Sequence, residues 1–206
     1  MRIRRYVMVA AIAVGLAQGA STPAEAATLP LVGNQTEVEV TAPLGALGLG
    51  GAPFGTATVD VSGMNPVFTF PVTGGSLNTA TGAALVEHQG SGVTLSALAD
   101  PAVSTTVGNF FIDTIAGRVS GDVIGGASGV PFFNLGAATP SGVELFITTE
   151  LAGALTGVFG APDLTGAQFG LARPDLAPIP LPAGVWLMLA GLAAFGAVRA
   201  RGRASA

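Results

Sequence analysis

Glycine and proline divide the middle of the chain into short segments, and this spacing constrains the fold more than any other feature. The 206 residues include 31 Gly and 14 Pro, which favour turns and interrupt regular structure. Between them lie apolar and β-branched runs, of which 36–41 alternates with the period of a half-exposed strand. The strand-like runs are 36–41, 56–61, 67–70, 84–88, 92–96, 109–114, 118–123, 130–135, 143–148 and 167–172. Short strands with turns roughly every 8–12 residues predict a mainly β domain, an antiparallel Ig-like β-sandwich.

Two segments are predicted to lack regular structure. Residues 43–54 are rich in glycine and show no periodicity, so we expect a loop there. Residues 173–178 contain two prolines and are predicted to form a linker. The β-rich domain is therefore expected to span residues 27–172.

One short helix is predicted within the β domain. The apolar residues that follow Thr149 recur at i, i+4, i+7 and i+8, which places them on one helix face. These residues are Leu151, Leu155, Val158 and Phe159. Thr148 or Thr149 can cap the first turn, and Gly160, followed closely by Pro162, can end the helix.

The beginning of the chain has the three parts of a secretory signal peptide. Arg2, Arg4 and Arg5 form a positive segment, and residues 6–17 are apolar. Ala24-Glu25-Ala26 then places small residues at both positions that signal peptidase reads. The apolar run is too short to span a membrane as a helix. We therefore expect residues 1–26 to be removed after Ala26, and the domain to be exported.

The end of the chain combines a proline-rich entry, an apolar run and a positive cluster. Residues 183–198 carry no charge and would span roughly 24 Å as a helix, slightly short of a ~30 Å hydrocarbon core. Arg199, Arg201 and Arg203 follow directly, as expected for the cytoplasmic side of a transmembrane helix. A core helix would be amphipathic instead. The pattern predicts a transmembrane helix at about 183–198.

The order of these parts resembles the C-terminal protein-sorting signal of the PEP-CTERM type, in its Val-Pro-Leu-Pro-Ala (VPLPA-CTERM) variant. The matching block is Ile179, Pro180, Leu181, Pro182 and Ala183, with Ile in place of the usual Val. The resemblance covers residues 179–206. It implies recognition by an exosortase-type membrane protease in a Gram-negative cell envelope. A plain, permanent membrane anchor is the alternative interpretation of the tail.

The charge distribution argues against nucleic acid as a partner. Charged residues make up 10 % of the chain, and all eight basic residues are arginines. Only Arg118 and Arg173 lie between the two terminal segments, so the body cannot neutralise many phosphates. The chain has no cysteine, which excludes disulfides and thiolate chemistry.

A second resemblance concerns residues 84–172. A run from Glu87 to Leu95 is followed by Phe110–Thr114, Gly117–Val123, the helix and Gly166–Ala172. This order is similar to secreted bacterial β-domains of the HtaA type, some of which bind haem. The resemblance implies a ligand-binding module in which His88, the only histidine, could contact a haem or another hydrophobic ligand.

No catalytic or metal-binding constellation emerges from the sequence. Ser91 and Ser96 lie near His88, which Asp100 or Asp113 could orient, but no Gly-x-Ser-x-Gly motif is present. The carboxylates that could pair for glycoside cleavage are Asp60, Glu87, Asp100, Asp113, Asp122, Glu144 and Glu150. Asp113 and Asp122 could share Ca²⁺, although no Asp-x-Asp-x-Asp-Gly loop accompanies them.

The sequence therefore predicts an exported, non-enzymatic protein of the cell envelope or extracellular matrix, without catalytic, cofactor or metal site. Its expected partners are signal peptidase, an exosortase-type protease, the membrane and extracellular polysaccharide. We expect an inner-membrane-anchored precursor that moves to the periplasm, outer surface or extracellular matrix. The alternatives are an HtaA-like module that binds haem or another ligand and a hydrolase of envelope polymers.

Overall fold

The computed structural model describes residues 28–31 and 33–175, which form a mainly β, antiparallel structure with one α-helix. The predicted signal peptide (1–26) and sorting signal (179–206) lie outside the described residues. Within residues 28–31 and 33–175, no helix is long and apolar enough to cross a membrane.

Twelve strands, one 3-10 helix (η1) and one α-helix follow one another along the described chain. In chain order they are β1 (Thr28–Pro30), β2 (Gln35–Val40), η1 (Leu44–Leu47), β3 (Leu49–Gly55), β4 (Thr58–Asp60), β5 (Val67–Pro71), β6 (Gly74–Asn78), β7 (Ala84–Ala97), β8 (Ser104–Asp113), β9 (Arg118–Val123), β10 (Val130–Thr139), β11 (Gly142–Ile147), α1 (Thr149–Phe159) and β12 (Gln168–Asp175).

All twelve strands belong to one sheet that curls around its own inner face. The order of paired strands is β1-β6-β7-β8-β9-β10-β11-β12-β2-β5-β4, and β3 pairs with the second half of β7. Although β5 and β7 are far apart in this order, the rings of Phe70 and His88 lie 6.2 Å apart. The two ends of the sheet therefore approach each other. The predicted Ig-like sandwich is not confirmed, because the strands form one continuous path rather than two separate sheets.

Bulges and glycines bend two neighbouring strands, β7 and β8. The register shifts between His88 and Gly92 in β7 and between Gly108 and Phe111 in β8. Gly92 faces Gly108 so closely that a Cβ on Gly92 would lie 2.2 Å from the Val107 carbonyl oxygen. Only glycine permits this approach, and bulges of this kind bend a strand and increase its local twist.

The predicted helix is confirmed and covers part of the core. The Thr148 hydroxyl accepts a hydrogen bond from the Leu151 N–H (3.2 Å), and Gly160 ends the helix in the left-handed conformation (φ 66°). Leu151 and Leu155 are buried in the main hydrophobic core against inward-facing residues of the sheet.

Two predicted irregular segments are strands. The loop expected at 43–54 contains η1 and β3, and β3 pairs with β7 from Leu49 to Gly55. Gly50, Gly51 and Pro53 hide the alternation of this strand, and β3 has a partner on one side only, where proline is tolerated. The prediction of a linker at 173–178 is wrong for residues 173–175, because β12 pairs with β2 as far as Asp175.

Candidate functional site

The curled sheet encloses an apolar cavity of about 200 Å³. Residues of β2, β3, β5 and β7 to β12 form its walls together with η1, and Leu151 and Leu155 of α1 contribute from one side. The only polar residues among the described ones that line it are Thr36, His88 and Gln168. The cavity is therefore a site for apolar groups with very few polar contacts.

His88 is buried in the wall of this cavity as a neutral imidazole. Its side chain is 1 % exposed, and its Nδ1 lies 2.9 Å from the carbonyl oxygen of Pro71. A carbonyl oxygen only accepts, so Nδ1 carries the hydrogen and Nε2 keeps its lone pair. Burial lowers the pKa of His88 below its usual value, although the backbone carbonyls of Pro71 and Phe70 oppose this effect.

Two buried polar atoms have no hydrogen-bond partner among the described residues, and both belong to residues that line the cavity. They are Nε2 of His88 and Oγ1 of Thr36. Thr36 lies opposite Phe70 in the β2–β5 pair, and the Phe70 ring contacts His88, so the two residues share one part of the interior. An unsatisfied buried polar group costs about 1–3 kcal/mol, so such groups call for an explanation.

The cavity reaches the surface on the side of Pro43 and Gln168. Both residues line the cavity and are exposed. Their segments lie side by side, because the Thr41 and Ala42 N–H groups both donate to the Phe169 carbonyl oxygen (3.1 and 3.0 Å). Thr36 is four residues from Val40 on β2, about 13 Å further from this opening. The unpaired polar atoms therefore lie at the deep end.

The residues considered for nucleophilic catalysis do not form a triad. The Ser91 hydroxyl donates to the backbone carbonyl of His88 (3.1 Å), inside the bulge of β7. Asp113 accepts hydrogen bonds from the N–H groups of Ile115 and Ala116, each at 2.8 Å. Asp100 accepts one from the Ala102 N–H (3.1 Å). The structure uses these groups to close a bulge and two turns.

The remaining candidates lie on strands, turns and the helix. Ser96 pairs with Ser104 and Gly50 in the sheet, and the Asp60 carboxylate accepts a hydrogen bond from the Ser62 N–H. Glu87 lies on β7, Glu144 on β11 and Glu150 in the first turn of α1. No group of three or more His, Cys, Asp or Glu side chains within residues 28–31 and 33–175 could hold a metal ion.

Asp113 and Asp122 are too far apart to share a calcium ion. Asp122 lies beside Gly108, whereas Asp113 lies beside Arg118, so the two are separated by about 16 Å along β8. Asp122 instead accepts hydrogen bonds from Asn109 Nδ2 (2.9 Å) and the Gly129 N–H (3.0 Å), which lower its pKa.

Haem does not fit the described cavity. Drug-sized ligands occupy pockets of roughly 300–1,000 Å³, and haem is at least as large as such ligands. Its two propionates would also need cationic partners, and no charged residue in the described chain lines the cavity. The cavity beside the buried His88 has space only for a much smaller ligand.

The chain matches no protein-family model, no curated protein and no solved structure. The fold and the cavity define a mainly β protein with one curled antiparallel sheet around an apolar interior. The predicted sorting residues Ile179–Ala183, the arginines Arg199, Arg201 and Arg203 and the signal-peptidase residues Ala24 and Ala26 lie outside the described residues.

Thr36 is the residue of this site that the sequence interpretation missed. The alternation that predicts β2 places Thr36 on the same face as Val38 and Val40. That pattern signals a polar residue on an apolar face, and the structure shows its side chain 1 % exposed.

Proposed function

We propose that this protein is an exported, non-enzymatic component of a Gram-negative cell envelope or extracellular matrix, delivered by a C-terminal sorting signal. The observation that carries the proposal is the order of Ile179–Ala183, the uncharged run 183–198 and the final arginines. The signal-peptide pattern at the other end supports it, because a sorting signal that acts in the cell envelope is consistent with a chain that is exported.

The proposed route has two processing steps. Signal peptidase cleaves after Ala26 during export, and the helix at 183–198 holds the precursor in the inner membrane. An exosortase-type protease then recognises Ile179–Ala183 and releases the body to the periplasm, the outer surface or the extracellular matrix. Extracellular polysaccharide is the proposed partner there.

A non-enzymatic role is supported by Ser91, Asp113 and Asp122, three residues considered for catalysis, because their side chains form hydrogen bonds to the backbone of bulges and turns. A hydrolase of envelope polymers is supported by the compartment alone. The finer architecture of the body, an Ig-like sandwich, is also a proposal. The opposite arcs of the curled sheet, which share one apolar core, support it.

Replacing Pro180, Leu181 and Pro182 together with alanine tests the sorting signal in the cells that make the protein. We expect the variant to accumulate as unprocessed precursor in the inner-membrane fraction. Pro178→Ala is the matched control, since it removes a nearby proline outside the matching block. Normal processing of the triple variant would contradict the proposal.

Mass spectrometry of the mature C-terminus separates sorting from permanent anchoring. Sorting predicts a mature protein that ends before the arginine cluster. A membrane-bound mature protein that still ends at Ala206 would favour the permanent anchor.

A ligand-binding module is the second candidate, and the cavity beside His88 is the observation that favours it. A Soret titration of wild type against His88→Ala tests haem. The cavity volume predicts identical, featureless spectra for both proteins.

A further inference from the structure

We infer that the interior of the curled sheet binds a small, uncharged, largely apolar molecule whose single hydroxyl donates a hydrogen bond to His88. This site is independent of the export and sorting of the chain, so either proposal can fail without the other.

The size of the cavity limits the ligand to a ring or a short chain. An apolar protein cavity of about 150 Å³ stays dry and takes up benzene. At about 200 Å³, the cavity accommodates a benzene-sized body with one added polar group. A larger ligand would have to displace the aromatic residues Phe70, Phe110 and Phe132. The ring of Phe110 contacts the rings of both Phe70 and Phe132.

The lining excludes a charged ligand. Apolar side chains form nearly all of it, and no Asp, Glu or Arg of the described chain contributes. Moving an unpaired charge from water into such surroundings carries a large desolvation cost. Carboxylates, phosphates and ammonium groups are therefore excluded as ligand groups inside the sheet.

The two unpaired polar atoms define the polar part of the ligand. The lone pair of His88 Nε2 can accept a hydrogen bond but cannot donate one, because Pro71 fixes the hydrogen on Nδ1. Thr36 Oγ1, in the same part of the interior, can donate a hydrogen bond to a ligand oxygen or accept one from it. A hydroxyl combines a donor and an acceptor on one atom, so phenols and short alcohols are the class that satisfies this end of the cavity.

The position of the opening determines the orientation of the bound ligand, with the polar group at the deep end of the cavity. Pro43 and Gln168 lie at the exposed end of the cavity, and Thr36 lies at the opposite end of β2. A molecule with one hydroxyl can reach the deep end while its apolar part fills the space behind it. In this orientation the ligand hydroxyl lies next to His88 and the apolar part lies nearer the opening.

The test compares three probes of similar size on the protein purified from the cells that make it. Phenol carries the hydroxyl, benzene lacks it, and benzoate adds a charge. We expect phenol to raise the unfolding temperature in a concentration-dependent way, since a ligand that binds only the folded state stabilises it. We expect benzene to bind about tenfold more weakly than phenol, as for a lost hydrogen bond, and benzoate to have no effect.

Two variants and one spectrum decide the location. His88→Leu should bring phenol to the affinity of benzene and leave benzene unchanged, whereas Val40→Phe should fill the cavity and weaken both. If His88→Leu does not fold, the ¹⁵N resonance of His88 Nε2 in the wild type replaces it, and phenol but not benzene should shift that resonance. Absence of binding by all three probes, equal affinity for phenol and benzene, or an unmoved Nε2 resonance would overturn the inference.

Discussion

The described residues form two apolar cores, and only one of them surrounds the interior cavity. The small core consists of the buried residues Leu31, Val72, Ala84 and Val86, none of which lines the interior cavity. The main core surrounds the cavity, which is also lined by the two residues with unpaired polar atoms. His88 follows Val86 on the same face of β7, so the change from one type of packing to the other occurs within three residues.

The contrast indicates which buried side chains contribute most to the stability of the fold. Close packing without voids provides dispersion contacts on every side of a side chain. Residues of the cavity wall lack contacts on one side, so they contribute less for the same buried area. We therefore expect a truncation in the small core to cost more stability than a truncation of an equally buried residue in the cavity wall.

The largest expected effect on stability is a difference between alanine substitutions of two leucines that are buried to nearly the same extent. Leu31 in the small core is 1 % exposed, and Leu145 in the cavity wall is 2 % exposed. We expect Leu31→Ala to lower the free energy of unfolding by about 3–4 kcal/mol and Leu145→Ala by about 2 kcal/mol, because the second site already adjoins a void. Urea denaturation of both variants measures the difference, and equal losses would contradict it.

The next largest effect on stability is expected at the bulged part of β7 and β8, where two glycines face each other. A Cβ on Gly108 would lie 2.7 Å from the backbone carbonyl oxygen of Ser91, which cannot move away without breaking the sheet. We expect Gly108→Ala to destabilise the fold by about 2–3 kcal/mol. Gly153→Ala on the exposed face of α1 is the control, with open space around its Cβ, and should stabilise by about 0.5–1 kcal/mol.

Two buried threonines provide a matched pair with opposite signs. Thr148 donates to the carbonyl oxygens of Pro131 (2.7 Å) and Phe132 (3.1 Å) and caps α1, so Thr148→Val should cost about 1–2 kcal/mol. The Thr36 hydroxyl has no such partner in the described chain, so Thr36→Val should be neutral or stabilise by about 1 kcal/mol. Thermal unfolding of both variants measures the signs, and a loss at Thr36 as large as that at Thr148 would show that its hydroxyl is satisfied.

The smallest effect is the pH dependence that His88 adds to the main core. Its pKa is lowered from 6.5 in the folded state, so below about pH 6.5 the unfolded chain binds a proton that the folded chain does not. Stability should therefore fall as the pH drops through this range, by at most about 1.4 kcal/mol per pH unit. His88→Gln should remove this slope, measured by urea denaturation between pH 5 and 7.5, roughly the range around an ordinary histidine pKa.

The carboxylates contribute to the pH dependence of folding stability in a lower pH range than His88. Hydrogen bonds hold the pKa values of Glu39, Asp60, Asp122 and Asp163 below their usual range. Their contribution is present above the ordinary carboxylate pKa and is lost as the pH falls below it. A slope that persists between pH 5 and 7.5 in His88→Gln would show that another group titrates there.

The sequence predicts the parts of this fold that carry their own periodicity. The alternation of residues 36–41 and the spacing of Leu151 and Leu155 correspond to β2 and α1. In contrast, β3 and β6 contain two adjacent glycines each, and their side chains carry little pattern. Their place is set by pairing with β7, a tertiary contact that no local signal reveals.

The candidate site is harder to predict for a similar reason. His88 is conspicuous as the only histidine, but its burial depends on the bulge at His88–Gly92 and on contact with Pro71 of a distant strand. The cavity arises because the inward side chains of many strands do not fill the curled sheet. This property depends on curvature, which the pattern of individual strands does not specify.

The pairing of β2 with β12 also determines how the body responds to a pull on its tail. Asp175, the last described residue, lies opposite Gln35, and β12 is hydrogen-bonded to β11 on its other side. Arg173 adds a clamp, since its side chain binds Glu39 and the Ser141 carbonyl oxygen. Tension applied at Asp175 along the axis of β12 acts on these pairings in shear, so that hydrogen bonds on both sides of the strand resist it together rather than opening one after another.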